Sequence, residues 1–274
     1  MQKIIFTNEQ DFRNKVGAIK VQGLDSLHII SDFDMTLTRP SGDGKKAVST
    51  WETFELSDEY VRERDRLVSI YQPIEFDPNI PLDIKKVKMQ EWWSLHLEDI
   101  MMHGLTRKLI QDSATYGRII LREGLEKLCE FTHTRNIPFL IFSAGLGDVI
   151  TELFSSRNIM RSNMHIVSNF FIFDSDGNPT GFKDDIVHSF NKTEVHLKGK
   201  PYVGEIINRN NLILLGDSLG DAAMGEGFPH KNIIKICFLN GRLENLNAYK
   251  ELYDVIIIED ESMDFVLELL ENLK

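Results

Sequence analysis

Asp32 and Asp34 stand at the end of an apolar run, Leu27-His-Ile-Ile-Ser31, and Thr36 follows them. Carboxylates gain nothing from burial. Their desolvation and mutual repulsion are unfavourable unless a cation or a charged substrate offsets them. Residues two apart on a strand point to the same face, so both side chains can converge just past the strand end. An acidic turn in solvent is the bland alternative. Other polar groups end later apolar runs: Ser143-Ala-Gly145, then Gly216-Asp-Ser218 with Asp221 close behind, and between them Phe190-Asn-Lys192. The residue types suit phosphate chemistry. Asp32 and Asp217 can hold Mg²⁺, a hard cation that takes oxygen ligands. One carboxylate can attack phosphorus and form an aspartyl-phosphate. Asp34 can give a proton to a leaving oxygen and later take one from water. Ser143 and the backbone N–H groups after it can hold phosphoryl oxygens, and Lys192 can balance the transferring charge.

These groups meet only if the strands before them lie side by side. Strands are predicted at 27–33, 138–143, 164–168, 211–217, 233–239 and 254–258. Helices are predicted at 8–22 with Asn8 as its cap, at 57–71 with Ser57 as its cap and Pro73 as its stop, and at 82–111. Further helices are predicted at 119–135, 147–157, 219–226, near 241–251 and at 262–273, with a hairpin-like turn at Asp174-Ser-Asp-Gly-Asn178. Short apolar strands alternating with helices predict a doubly wound parallel α/β sheet covered on both faces. In such a sheet ligands bind beyond the carboxyl ends of the strands. Pro40 to Ser49 is rich in Gly, Lys and Ser and is expected to be a flexible connection. Residues 40–118 are expected to form a helical cap inserted after the first motif strand, with 1–39 and 119–274 as the core.

The ordered set Asp-x-Asp-x-Thr, Ser, Lys and Gly-Asp-Ser-x-x-x-Asp resembles the haloacid dehalogenase superfamily. Ser31-Asp-Phe-Asp-Met-Thr-Leu37, Phe142-Ser-Ala-Gly-Leu-Gly-Asp148, Val167-Ser-Asn-Phe170, Gly181-Phe-Lys183, Phe190-Asn-Lys192 and Leu214-Leu-Gly-Asp-Ser218 are similar to the cytosolic 5'-nucleotidase III (pyrimidine 5'-nucleotidase) family over nearly the whole chain. The resemblance implies Asp32 as nucleophile and Asp34 as general acid/base. It implies a Mg²⁺ site from Asp32, the Asp34 carbonyl and Asp217, with Asp221 supporting the metal's waters. It implies a phosphate site from Ser143, Ala144 and Lys192, and a nucleoside contact from Glu75. Glu91-Trp92-Trp93 matches a cap motif, and a paired Trp resembles the branch that prefers 7-methylguanosine. His96 stands where pyrimidine-preferring members carry a substrate-binding serine, and residues 45–54, with Trp51, depart from the family's usual pattern. Trp51 and Trp93 can stack on a base or serve an ordinary core.

The chain has 274 residues, 42% hydrophobic and 27% charged, as in ordinary globular proteins. A net charge of −11 argues against general binding to nucleic-acid backbones. No apolar run approaches the roughly 20 residues of a membrane span. Cys129 and Cys237 are expected to be reduced, in a cytoplasmic, monomeric protein with a small-molecule nucleotide as its partner. The eight histidines show no zinc spacing. Gly216-Asp-Ser-Leu-Gly220 fits a serine-hydrolase pattern, but no Asp-x-x-His follows it, and Asp185 to His188 precedes it. The expected activity is Mg²⁺-dependent hydrolysis of nucleoside 5'-monophosphates, with CMP, UMP or 7-methyl-GMP as candidates. The alternatives are a phosphatase for a non-nucleotide ester and a metal- and nucleotide-binding module without turnover.

Overall fold

An eight-stranded sheet in the order β1-β10-β9-β8-β2-β5-β6-β7 carries the molecule. The computed structural model describes residues 3–42, 45–54, 56–77, 79–183, 185–193, 197–241, 243–258 and 262–274. In chain order the elements begin with β1 (Lys3–Phe6), α1 (Glu9–Gln22), β2 (Leu27–Ser31), β3 (Ser41–Gly42) and β4 (Lys45–Lys46). Three helices follow: α2 (Asp58–Phe76), α3 (Leu82–Met102) and α4 (Arg107–Tyr116). Then come α5 (Leu125–Thr134), β5 (Phe139–Leu146), α6 (Gly147–Ser156), β6 (Met164–Phe173), β7 (Pro179–Lys183) and α7 (Val203–Ile206). The chain ends with β8 (Asn211–Gly216), β9 (Asn232–Leu239), α8 (Leu246–Leu252), β10 (Val255–Ile258) and α9 (Asp264–Asn272).

The central pairs β9–β8, β8–β2, β2–β5 and β5–β6 are all parallel. Each of β2, β8 and β10 is buried along its full length, because helices cover both faces. The two edges differ from an all-parallel sheet: β1 pairs antiparallel with β10, and β7 antiparallel with β6. The β6–β7 hairpin turns at the expected place, with Asp174 accepting from the backbone N–H groups of Asp176 and Asn178.

Asn8 caps α1 as expected, accepting from Asp11 N at 3.0 Å, and Ser57 caps α2, accepting from Tyr60 N at 3.2 Å. Pro73 does not stop α2, which runs on to Phe76. Proline removes only its own N–H donor, so the loss is a single intrahelical bond and the helix continues through it. Its carbonyl still accepts from Asp77 N at 3.0 Å. The expected helix at 82–111 is two helices. Gly104, at φ 89°, breaks it, and Thr106 caps α4 by accepting from Leu109 N at 3.1 Å. Residues 119–123 are extended rather than helical, with Leu121 bridged to Thr38, and α5 starts only after Gly124, at φ 80°. The expected helix at 219–226 is a short 3₁₀ turn, Gly220–Ala223. The 40–49 connection contains the β3–β4 pair, and its tip lies outside the described residues. Leu67, Tyr71, Met89 and Trp92 of α2 and α3 form a small apolar cluster apart from the main core. Tyr60, Leu97 and Ile100, on the same two helices, join the main core, as do Ile110 and Ala114 of α4. Among the described residues no helix is long and apolar enough to cross a membrane.

Candidate active site

Register brings the acids together. Ser31 of β2 pairs with Leu215 of β8 on one side and Ile141 of β5 on the other. The residues just beyond, Asp32, Asp217 and Ser143, therefore gather at one edge of the sheet. Asp32 N donates to Leu215 O at 3.0 Å, which holds the nucleophile candidate at the end of the ladder. Carboxylate oxygens of Asp32, Asp217 and Asp221 lie within 4.8 Å of one another. This all-oxygen donor set fits a hard divalent cation.

Lys192 closes the cluster. Its ammonium bonds Asp32 Oδ1 and lies 2.9 Å from Asp221 Oδ1. Asp32 is 4% exposed and Lys192 6%. Burial pushes the Asp32 carboxyl up, while Lys192 pulls it back down. The Lys192 ammonium is stabilised by the two carboxylates against the cost of its own burial. The other Asp221 oxygen accepts from Asp217 N, Ser218 N and Ser218 Oγ, at 3.2, 3.0 and 2.7 Å. Tyr253 O–H donates to Ser218 O from below. Gly216 is required here, since a Cβ would stand 2.5 Å from that of Asp221. Lys183, of the Gly181-Phe-Lys183 motif, lies over the Phe170 ring.

The Asp34 carboxylate is held by Thr50. Thr50 N donates to Asp34 Oδ1 at 2.9 Å and Thr50 Oγ1 to Oδ2 at 2.8 Å. Burial raises its pKa to about 6, against the pull of these bonds. Ser143 Oγ accepts from Gly145 N at 3.0 Å. Ala144 O accepts from the indole N–H of Trp93 at 2.7 Å, so α3 is tied to the end of β5.

Three residues that sequence reasoning did not single out hold this frame. Asn169 donates to the carbonyls of Ala144, Gly145 and Val187 at 3.0, 3.1 and 2.9 Å and accepts from Val187 N. It thereby fixes the loop that carries Lys192. Arg122, only 2% exposed, donates to Thr36 O, Met35 O and Asn240 Oδ1 at 2.7, 2.8 and 2.9 Å. Met35 sits in the left-handed region at φ 65°, so the turn after Asp34 is held against its own preference. Thr50 is the third. Asn169 lay inside a quoted motif, Val167-Ser-Asn-Phe170, and could have been found there; Arg122 and Thr50 carried no local signal. Arg122→Met is expected to lower stability by about 2 to 4 kcal/mol, because Thr36 O and Asn240 Oδ1 lose their Arg122 donor and Met35 O loses one of two. Urea unfolding of the variant checks this.

The remaining expected residues take different places. Trp93 and His96 line a cavity of about 310 Å³ with Trp51, Glu52, Asp65 and Trp92. Trp51 meets Trp93 edge-on at 6.3 Å and stacks on His96 at 4.5 Å. His96 is hydrogen-bonded to Tyr60 O–H at 3.1 Å, and burial lowers its pKa to about 4, so the ring is neutral at pH 7. Glu75 accepts from Ser189 Oγ, bridging α2 to the Lys192 loop.

Residues 35–274 match the family described as pyrimidine 5'-nucleotidase (UMPH-1). Over 264 residues the chain is 36% identical to the 7-methylguanosine phosphate-specific 5'-nucleotidase of Homo sapiens, covering 94% of this chain and 88% of that one. Its Xenopus laevis counterpart, form A, is 35% identical over 268 residues, covering 96% and 92%. A crystal structure of cytosolic 5'-nucleotidase IIIB bound to cytidine superposes with a TM-score of 0.89 at 30% identity, over 98% of this chain and 93% of that one. A substrate-bound phosphoserine phosphatase, at 17% identity and a TM-score of 0.54, shares the fold. With its haloacid dehalogenase-like fold and this extent of similarity, the chain belongs to the pyrimidine 5'-nucleotidase family of enzymes.

Proposed function

We propose that the protein hydrolyses nucleoside 5'-monophosphates through an aspartyl-phosphate on Asp32, with 7-methyl-GMP as its preferred substrate. The observation that carries the chemistry is the buried cluster in which Lys192 bridges Asp32 and Asp221 beside Asp217. An Asp32 oxygen bonds phosphorus as the bond from phosphorus to O5′ breaks. The electron pair goes to O5′, and Asp34 supplies its proton. Asp34 then takes a proton from water as the water oxygen bonds phosphorus and the Asp32 carboxylate leaves. Lys192 balances charge on the transferring group, while Ser143 and the loop at Ala144 orient it. Mg²⁺ fits the oxygen donors of Asp32, Asp217 and the Asp34 carbonyl, with Asp221 in support, and when bound supplies positive charge against the phosphoryl oxygens.

Residues 40–118 act as the cap that selects the base and excludes water. The apolar cluster of Leu67, Tyr71, Met89 and Trp92, separate from the main core, supports this division. The aromatic cavity supports the base preference: the indoles of Trp51, Trp92 and Trp93 line it with Glu52, while Asp65 is paired there with Arg64, and aromatic faces favour a cationic, methylated purine. The relatives named for 7-methylguanosine phosphate point the same way. Two free, buried cysteines fit a reducing cytoplasm.

The test is steady-state turnover of 7-methyl-GMP, CMP, UMP and GMP, with and without EDTA. The highest kcat/KM is expected for 7-methyl-GMP, and EDTA is expected to abolish release of phosphate from all of them. Preference for a phosphosugar or phosphoserine would overturn the nucleotidase assignment. Trp51→Ala is expected to lower kcat/KM for 7-methyl-GMP by about 10-fold or more while changing that for CMP less.

A pH dependence follows from the buried acids. The pKa of Asp34 is raised to about 6, so its protonated form stabilises the metal-free protein below about pH 4 and this contribution is lost as pH rises to 6. Asp32 is raised in the same direction. Mg²⁺ binds the ionised carboxylates, so the rise in Tm on adding it should be larger at pH 7 than at pH 5. Thermal scans at the two pH values check this.

A further inference from the structure

Thr50 lies at the start of the cap segment, yet it is 0% exposed and touches the proton-transfer group directly. Its backbone N–H and its hydroxyl reach the two different oxygens of Asp34, at 2.9 and 2.8 Å. Leu146 N donates to Thr50 Oγ1 at 3.2 Å, so the hydroxyl's single hydrogen is directed to Asp34. Each carboxylate oxygen has two acceptor positions, so Thr50 still leaves one on each for the travelling proton. Three segments interlock at this point. A Cβ at Gly145 would stand 2.1 Å from Thr50 Oγ1 and 2.8 Å from Asp34 Oδ2, so only glycine lets the β5 end close on the pair. The next residue, Trp51, lines the aromatic cavity. One peptide unit therefore separates the base-facing ring from the group that holds the acid/base.

We propose that Thr50 is a positioning residue that sets the orientation of Asp34 and, through Trp51, links occupancy of the base cavity to proton transfer. The proposal rests on the nucleotidase reading above. Asp34 must deliver its proton to O5′ as the bond to phosphorus breaks, and a misdirected carboxyl slows that step without weakening substrate binding. A leaving group that needs no proton, such as p-nitrophenolate, is insensitive to the change in its first turnover.

The experiment compares wild type, Thr50→Val and Thr50→Ser on 7-methyl-GMP and on p-nitrophenyl phosphate, with folding checked by circular dichroism. Thr50→Val is expected to lower kcat on the nucleotide by about 10- to 100-fold with KM changed less than about twofold. Thr50→Ser should recover most of the loss. The first-turnover release of p-nitrophenolate should stay at the wild-type rate in both variants. In a double-mutant cycle Thr50→Val and Trp51→Ala should be non-additive in kcat on the nucleotide. Wild-type kcat in Thr50→Val, or a first-turnover release of p-nitrophenolate slowed as much as nucleotide turnover, overturns the positioning role. Additivity in the cycle overturns the link to the base cavity. A wild-type enzyme that turns over p-nitrophenyl phosphate but no nucleotide overturns the functional reading instead, and the link with it.

Discussion

Asp32→Asn should release phosphate from nucleoside 5'-monophosphates at least about 10⁴-fold more slowly than the wild type. The carboxamide is neutral and a poor nucleophile, and the change also removes one of the oxygen donors grouped within 4.8 Å. Folding should survive. The substitution relieves the repulsion among the clustered carboxylates while Lys192 keeps Asp221 as its partner, so the metal-free variant is expected to melt no lower than the wild type. Loss of turnover with an unchanged or raised Tm separates a chemical role from a structural one. Hydroxylamine trapping of the acyl-phosphate during turnover should label the wild type alone. Near-normal turnover by the variant would exclude the covalent route.

Lys192→Met should affect both stability and rate. The ammonium is the counterion that bridges two buried carboxylates, Asp32 and Asp221. Its removal leaves those acids facing each other in a dry site, which costs on the order of 3 to 5 kcal/mol when one partner of a buried pair is lost. Urea unfolding without metal should show that loss, and added Mg²⁺ should restore part of it by replacing the missing positive charge. Turnover should fall by about 10²- to 10³-fold even when Mg²⁺ is saturating, because the charge on the transferring group loses a fixed partner. An unfolding midpoint equal to the wild type's would show that desolvation of the three groups cancels their attraction.

The reaction chemistry was legible in the sequence because it depends on residue type. Few side chains can attack phosphorus, move a proton or bind a hard cation, and Asp32, Asp34, Lys192 and Asp217 occur in an order that short local patterns can reveal. The central sheet was legible for a similar reason, since apolar runs such as Leu212-Ile-Leu-Leu215 and Val255-Ile-Ile-Ile258 must be buried on both faces. Local pattern failed wherever the outcome depended on what lies opposite. The edge strand β1 exists through its pairing with β10, nearly the whole chain away. Pro73 stays helical because only one intrahelical bond is lost while Leu67, Tyr71 and Ile74 keep α2 packed on α3. Thr50, Arg122 and Asn169 have no signature of their own. They matter because folding places Thr50 against Asp34, Arg122 under the strained turn at Met35, and Asn169 between Ala144 and Val187. The sequence by itself determined which groups are available for the proposed chemistry; the tertiary structure decided how they are aimed. Identity resides in single residues, whereas orientation is a property of contacts between segments remote in the chain.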